Sequence, residues 1–425
     1  MREQSIAVNT AVAVGGRVLH VAFGVAITAA VTRLLGLSAF GAYATLLAVC
    51  SLLATTADFG LYLSLTRAIG EDAAGTARLL SDITWLRLLL LAAAFTLGSL
   101  AVFTLPSLHG LWLAFWTAAA GFMAQSFSQL LMGVFQARAV VWRATVGDLA
   151  GRLTQLAVII ILSLSFFAGQ PSVTAMAAAA SLGALVSYAF HRSLLPVAWR
   201  LDSAPAWRQV KKIMRDTLPL GLLLILNVIY FRIDTVILSA LRPVAEVGLY
   251  GLAYRMIESA LFIPAMFGGL LLPHLSRPKA DQRSLLNESF RAMLWAGTGF
   301  SLMLAFLAKP LIVFISGPQY VSAAPLLQIL SIALAIMFVG NLFGFALVAL
   351  HQQRPLLKLY LVLTAGNVLL NLWLIPRFGA YGAAWITVAT EAAAALTAGI
   401  LVRRLIPFSL NPLSLRGFQM LIRKP

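Results

Sequence analysis

Residues 310–353 read PLIVFISGPQYVSAAPLLQILSIALAIMFVGNLFGFALVALHQQ, without one Asp, Glu, Lys or Arg. A membrane-crossing helix needs about 20 predominantly apolar residues, so this stretch supplies parts of two. Residues 88–137 and 153–191 are likewise free of these four residue types. Turn chemistry interrupts the runs at Pro106, at Gly169-Gln170-Pro171 and at Gly317-Pro318. The same pattern holds along the whole chain. Of 425 residues, 61% are hydrophobic and 11% charged, against about 25% charged in a typical soluble domain. No single aqueous core hides that much apolar side chain, which excludes a soluble globular enzyme. Disorder is excluded for the same reason. The single cysteine, Cys50, sits in an apolar run and excludes a disulfide scaffold.

Run length and punctuation predict an all-α polytopic membrane protein of about twelve helices. They fall near 8–32, 39–66, 82–104, 110–136, 146–168, 173–195, 216–240, 246–272, 287–308, 322–350, 355–375 and 380–402. Arg17 and His20 interrupt the first run and no small-residue cleavage site follows, so that run reads as a span and not as a cleaved signal. The net charge is +17. The basic residues lie in small groups between apolar runs, the arrangement of the positive-inside rule, and no basic, aromatic-interleaved soluble stretch exists to bind nucleic acid. Of the 31 Lys and Arg, 24 fall in the N-terminus, the even-to-odd loops with their helix ends, and the C-terminus. Arg33, Arg242, Lys309 and Arg377 fall on the opposite side. This split predicts that both termini are cytoplasmic. The expected organisation is a six-helix half over 1–196, a cytoplasmic linker over 197–215, a second six-helix half over 216–406, and a basic cytoplasmic tail over 407–425. A faint internal echo supports a repeat: Phe40-Gly41-Ala42-Tyr43 against Val247-Gly248-Leu249-Tyr250.

Seven ionisable residues fall inside apolar runs: Arg17, Asp58, Arg232, Asp234, Arg255, Glu258 and Glu391. Each costs roughly 2.5–3.5 kcal/mol at the bilayer centre on insertion scales, so most must face protein or a water-filled cavity. Arg17 and His20 are three residues apart in the first helix. In the seventh, Asn227, Tyr230 and Asp234 share a face, while Arg232 points about 200° away from Asp234. In the eighth, Tyr250, Tyr254 and Glu258 follow i, i+4, i+8, and Arg255 reaches Glu258 at i+3. Two readings stand for these residues. The bland one is internal glue: an Arg255–Glu258 pair, Asp58 and Asp234 in helix packing or ion pairs, Glu391 in an interhelical hydrogen bond, His20 as a core histidine, the tyrosines as packing. The sharper one is that the intramembrane arginines await an anionic substrate. No Walker-type phosphate loop, metal-spaced cluster or Asp-x-Asp pair in an aqueous loop is present in the sequence, so no cofactor or metal is expected.

The stretch from Arg33-Leu34-Leu35-Gly36 to Phe40-Gly41-Ala42-Tyr43, then Asp58-Phe59-Gly60-Leu61, resembles the start of polysaccharide flippases. Arg232-Ile233-Asp234, Val247-Gly248-Leu249-Tyr250, Ala253-Tyr254-Arg255 and Glu258 extend the resemblance. Asn371-Leu372-Trp373-Leu374-Ile375-Pro376 and Gly379-Ala380-Tyr381-Gly382-Ala383-Ala384 carry it through the C-terminal half. The resemblance covers nearly the whole chain. It is to the O-antigen and exopolysaccharide branch of the multidrug/oligosaccharidyl-lipid/polysaccharide exporter superfamily. It implies a non-enzymatic flippase of the bacterial cytoplasmic membrane, serving lipopolysaccharide or exopolysaccharide biosynthesis. Such a protein moves an undecaprenyl-pyrophosphate-linked oligosaccharide from the inner to the outer leaflet. A cavity between the halves is then expected to hold pyrophosphate and glycan, with Arg17, Arg255, Arg232, His20, Tyr254 and Tyr230 on the substrate. Asp58, Asp234, Glu258 and Glu391 are expected in ion pairs or in coupling to H+ or Na+. The partners are the lipid-linked oligosaccharide and membrane lipids. The competing reading is a cation-coupled drug antiporter of the same superfamily, which three arginines disfavour; an integral glycan transferase or ligase ranks below it.

Overall fold

The computed structural model describes residues 2–71, 76–138, 140–164, 171–195, 206–276 and 281–408. Every regular element among them is helical. This is the solution hydrocarbon demands, because a helix satisfies its backbone polar groups within one segment. In chain order the helices are α1 (Arg2–Asp58), α2 (Leu61–Glu71), α3 (Thr76–Gly98), α4 (Ala101–Thr104), α5 (Trp112–Ala137), α6 (Val141–Leu164) and α7 (Val173–Ser193). They continue with α8 (Trp207–Leu241), α9 (Val244–Ala260), α10 (Phe262–Leu275), α11 (Gln282–Phe306), α12 (Ala308–Ser316), α13 (Ala324–Ala349) and α14 (Gln353–Leu405). Among the described residues nine are long and apolar enough to cross a membrane, or ten when the bent pair α11–α12 counts as one span. Two of these are double. Helix α1 breaks at Gly36 (φ 70°, ψ 179°) and α14 at Gly379 (φ 54°, ψ −137°). A side chain is strained at such positive φ, whereas glycine adopts it freely. Each broken helix holds residues enough for two crossings, which leaves room for the twelve the sequence predicts.

Two helix ends depart furthest from the sequence reading. The second helix stops at Asp58 instead of 66, because Phe59 and Gly60 turn left-handed (φ 47° and 75°). Helix α8 crosses that turn at Gly221, where an added Cβ would lie 2.6 Å from the Phe59 carbonyl oxygen. Helix α8 in turn begins at Trp207, so residues 207–215 of the expected linker are helical. The cause is local: Val210 is buried in an apolar cluster with Leu61, Leu65 and Ile69, which line one stripe of α2.

The chain forms two compact units. Unit 1 comprises Met1–Gly248 with Ile315–Gln319, and unit 2 Leu249–Phe314 with Tyr320–Pro425. In unit 1, α6 packs on α1 and α7, and α5 on α7; in unit 2, α13 packs on α14, α11 and α10. Unit 1 contains the glycine of each copy of the internal echo, Gly41 and Gly248. A Cβ on Gly41 would lie 2.0 Å from the Val244 carbonyl, and one on Gly248 2.5 Å from the Leu37 carbonyl. Each glycine thus faces the carbonyl four residues before the other, a reciprocal contact of backbone on backbone. The outer faces are apolar: Leu97, Leu113, Leu164 and Val362 are exposed, and Phe306 is 87% exposed. Hydrocarbon, not water, is the solvent such surfaces fit.

Candidate functional site

On α6, Asp148, Arg152 and Gln155 follow i, i+4, i+7 and form one polar stripe. The neighbouring stripe, Gly147 and Gly151, lets α7 approach closely. A Cβ on Gly151 would lie 2.6 Å from the Gly183 carbonyl, and one on Gly147 2.4 Å from the His191 ring. Helix α1 approaches at Gly16, whose added Cβ would lie 2.1 Å from Thr145 Cγ2. These glycine contacts bring Arg17 and His20 of α1, the polar stripe of α6, and His191 of α7 into one cluster.

Within it, the Arg152 guanidinium donates to His20 Nε2 at 2.9 Å and, at 3.5 Å, to Gln155 Oε1. Arginine has no acceptor atom, so His20 presents its Nε2 lone pair. His191 is fully buried; its Nε2 donates to the Ala144 carbonyl at 2.9 Å and lies 3.7 Å from Asp148 Oδ1. Asp148 accepts a hydrogen bond from Ser187 and lies within electrostatic reach of His191, Arg152 and Arg17. Its side chain is 38% exposed, Arg152 is half-buried and Arg17 is exposed. Two guanidinium groups on an open, polar face inside apolar spans can take an anion. The sequence reading found Arg17 and His20 here and missed Asp148, Arg152 and His191. The charge count puts Arg152 at a helix end; its i, i+4, i+7 stripe with Asp148 and Gln155 is the signal that reveals it.

The other predicted residues of unit 1 lie elsewhere. Asp58 forms a buried ion pair with Arg87, which also donates to the Ser126 carbonyl. Arg87 is fully buried, although the charge count placed it with the cytoplasmic basic residues. Asp234 is buried and accepts from the Thr235 backbone N–H at 2.6 Å. Tyr230 is buried with its ring against Phe231, and Arg232 is half-buried. Three basic residues on the minority side are satisfied locally. Arg33 donates to the Ile315 carbonyl at 2.9 Å, Arg377 stacks 5.0 Å over Trp373, and Arg242 forms a forked pair with Glu246. The hydrogen bond to Glu246, with its charge, holds the Arg242 guanidinium above its ordinary value.

In unit 2, Arg255 is exposed on α9 and Glu258 half-buried. Tyr254 is buried, with its ring centroid 5.7 Å from that of Tyr250. The Tyr250 hydroxyl meets Thr387 Oγ1 at 3.3 Å. Asn371 Nδ2 donates to the backbone and side-chain oxygens of Asn367, each at 2.9 Å, and Asn367 reaches Thr390 at 3.4 Å. Glu391 is buried one residue beyond Thr390. This is a closed, largely neutral network. Among the described residues no group of three or more His, Cys, Asp or Glu could hold a metal ion.

The sequence profile described as "polysaccharide biosynthesis protein" matches residues 6–279. The chain is 28% identical over 137 residues to the EPS I polysaccharide export inner membrane protein EpsE of Ralstonia solanacearum; the match spans 28% of this chain and 31% of that protein. Among solved structures, a lipid II flippase MurJ in an inward closed conformation aligns with a TM-score of 0.75 at 11% identity, covering 95% of this chain and 88% of that one. An inward-facing multidrug resistance MATE family transporter of the MOP superfamily aligns at 0.69 and 17% identity, covering 91% and 94%. A MOP superfamily transporter from Pyrococcus furiosus aligns at 0.63 and 16% identity, covering 95% of both chains. At these identities the structures share the fold alone. The profile spans well over half the sequence, and the chain belongs to the polysaccharide biosynthesis protein family.

Proposed function

We propose that this protein is a flippase that moves an undecaprenyl-pyrophosphate-linked oligosaccharide from the inner to the outer leaflet of the bacterial cytoplasmic membrane. One observation carries the reading in a chain of this family: Arg17 stands exposed inside an apolar span, in a cluster with a second guanidinium. A lone arginine facing lipid is costly, whereas one facing a pyrophosphate gains a charge-assisted, two-pronged contact. The half-buried Arg232 and, in unit 2, Arg255, exposed on α9, are further candidates for contact with the substrate. The glycan and pyrophosphate remain in water while the lipid tail stays in the bilayer. Alternating exposure of the site to the two sides moves the head group. No covalent step is required, so the protein is a transporter and not an enzyme. Both termini are placed in the cytoplasm by the distribution of Lys and Arg, and reporter fusions at residues 205 and 378 should report opposite sides.

The test is a leaflet assay in proteoliposomes carrying a polyprenyl-pyrophosphate oligosaccharide. Its accessibility to an external glycosidase should rise with this protein present and stay at background in protein-free vesicles. A drug antiporter would instead drive ethidium efflux. Efflux without any change in glycan accessibility would reverse the assignment.

A further inference from the structure

We propose that Arg152 is a second phosphate-contacting guanidinium beside Arg17, and that Asp148 is the resident counter-anion, held there until the substrate's pyrophosphate displaces it. The inference rests on the flippase reading. It adds two residues and an order of events.

Three features carry it. The first is placement. Asp148 and Arg152 are successive members of one stripe of α6, and the Gly16–Thr145 contact sets that stripe beside Arg17. The second is charge. A doubly esterified pyrophosphate carries two negative charges at neutral pH, more than Arg17 alone neutralises. Two guanidinium groups in a low-dielectric site repel each other unless an anion stands with them, and Asp148 lies within electrostatic reach of both. The third is the way each group is held. Two contacts of Arg152, to His20 Nε2 and Gln155 Oε1, orient the guanidinium without cancelling its charge. The Asp148–His191 distance is 3.7 Å, longer than the 2.7–2.9 Å of a tight charge-assisted bond. Asp148 is therefore held only loosely by His191 and is more than a third exposed, and when displaced from the guanidinium groups it keeps the Ser187 hydroxyl as a partner.

The experiment measures binding of farnesyl pyrophosphate, with the singly charged methyl ester of farnesyl monophosphate as reference, to the full chain in lipid nanodiscs at low salt. Asp148→Asn removes the competing charge at constant shape and should tighten pyrophosphate binding about tenfold, while Arg152→Ala should weaken it about tenfold, with the methyl ester moving about threefold or less in both. If Asp148→Asn weakens binding in parallel with Arg152→Ala, Asp148 positions Arg152 instead of competing with the ligand, and the counter-anion role is overturned. If Arg152→Ala binds like the wild type while Arg17→Ala does not, Arg152 is no ligand contact, and the flippase reading stands without it. If both bind like the wild type, or the wild type does not bind at all, the flippase reading itself fails. Arg152→Lys covers the case in which Arg152→Ala does not fold. With a wild-type unfolding temperature it should still lose most of the preference for pyrophosphate, because an ammonium lacks the planar fork; full preference in that variant overturns the assignment.

Discussion

The two units place polar groups inside apolar helices in opposite ways. Unit 1 gathers charges on a face that opens outward: Arg17 exposed, Arg152 half-buried, Asp148 partly exposed. Unit 2 closes hydroxyls and amides into its interior: Tyr250, Asn367, Asn371, Thr387 and Thr390 are all buried. An open cluster of mixed charge can exchange one anion for another. A closed, largely neutral network is mostly spent on itself: its amide donors have internal acceptors, although the buried Asn371 Oδ1 has no partner. Burying a polar group is tolerable only when it is hydrogen-bonded, so the second arrangement fits a scaffold and the first a binding surface.

Unit 1 also contains an exception that sharpens the comparison. The Asp58–Arg87 pair is charged and closed, so it should behave as scaffold despite its charge. Arg87→Met leaves Asp58 buried without its partner and should cost about 3–5 kcal/mol, read as a fall in unfolding temperature of the detergent-purified protein and in membrane level. Asp58→Leu combined with Arg87→Met should recover most of that stability, because an apolar pair of similar volume carries no buried charge. A double variant that folds but no longer transports would move this pair from scaffold to mechanism.

The next effect is on transport. Arg17→Ala should lower transport about tenfold or more, since a hydrogen bond to a charged group contributes roughly 1.5–3 kcal/mol, and should leave the membrane level unchanged. Arg17→Lys should retain part of the activity. A fall in membrane level that accounts for all the lost transport would make Arg17 structural and erase the contrast between the units.

How far the sequence discloses this arrangement depends on the signal. Helix content and membrane class follow from the charge-free runs, because hydrocarbon leaves helices as the solution for such segments. Arg17, Asp58 and Asp234 stand out because one charge in an apolar run is conspicuous. Arg87 and Arg152 do not, because they lie within about three turns of a helix start, where a basic residue reads as a membrane-surface anchor. Their roles come from cross-helix contacts: Arg87 through Asp58, Arg152 through the glycines that draw α1 and α7 onto α6. Tyr230 and Tyr254 show the opposite limit. Helical spacing put them on the same faces as acidic residues, but spacing does not tell a cavity from a packed interface, and both rings are buried in packing.

Unit 2 should respond in stability first. Asn371→Ala removes the donor to the Asn367 side-chain oxygen and should cost about 1–3 kcal/mol, the penalty of leaving a buried acceptor unpaired. Thermal unfolding in detergent measures it, with the transport rate per folded molecule expected to stay at the wild-type value. Transport lost at wild-type stability would show that the network takes part in the cycle.

The smallest effect tests whether that network is cooperative. The Tyr250 hydroxyl and Thr387 Oγ1 meet at 3.3 Å, while Thr387 also donates to the Ala383 carbonyl at 3.0 Å. Since the Thr387 proton goes to the carbonyl, Tyr250 is the donor of the shared bond. Tyr250→Phe then removes a donor whose acceptor keeps its own bond to Ala383, and Thr387→Val removes the acceptor of a buried phenol. Each should cost about 0.5–1.5 kcal/mol, with Thr387→Val the larger. Because the two hydroxyls share one bond, the double variant should cost less than the sum of the singles, by a coupling of about 0.5–1 kcal/mol. Additive losses would mean that the hydroxyls act separately, one on Ala383 and the other elsewhere. The buried polar groups of unit 2 would then be individual plugs in an apolar interior, and its contrast with the charge cluster of unit 1 would be one of burial alone.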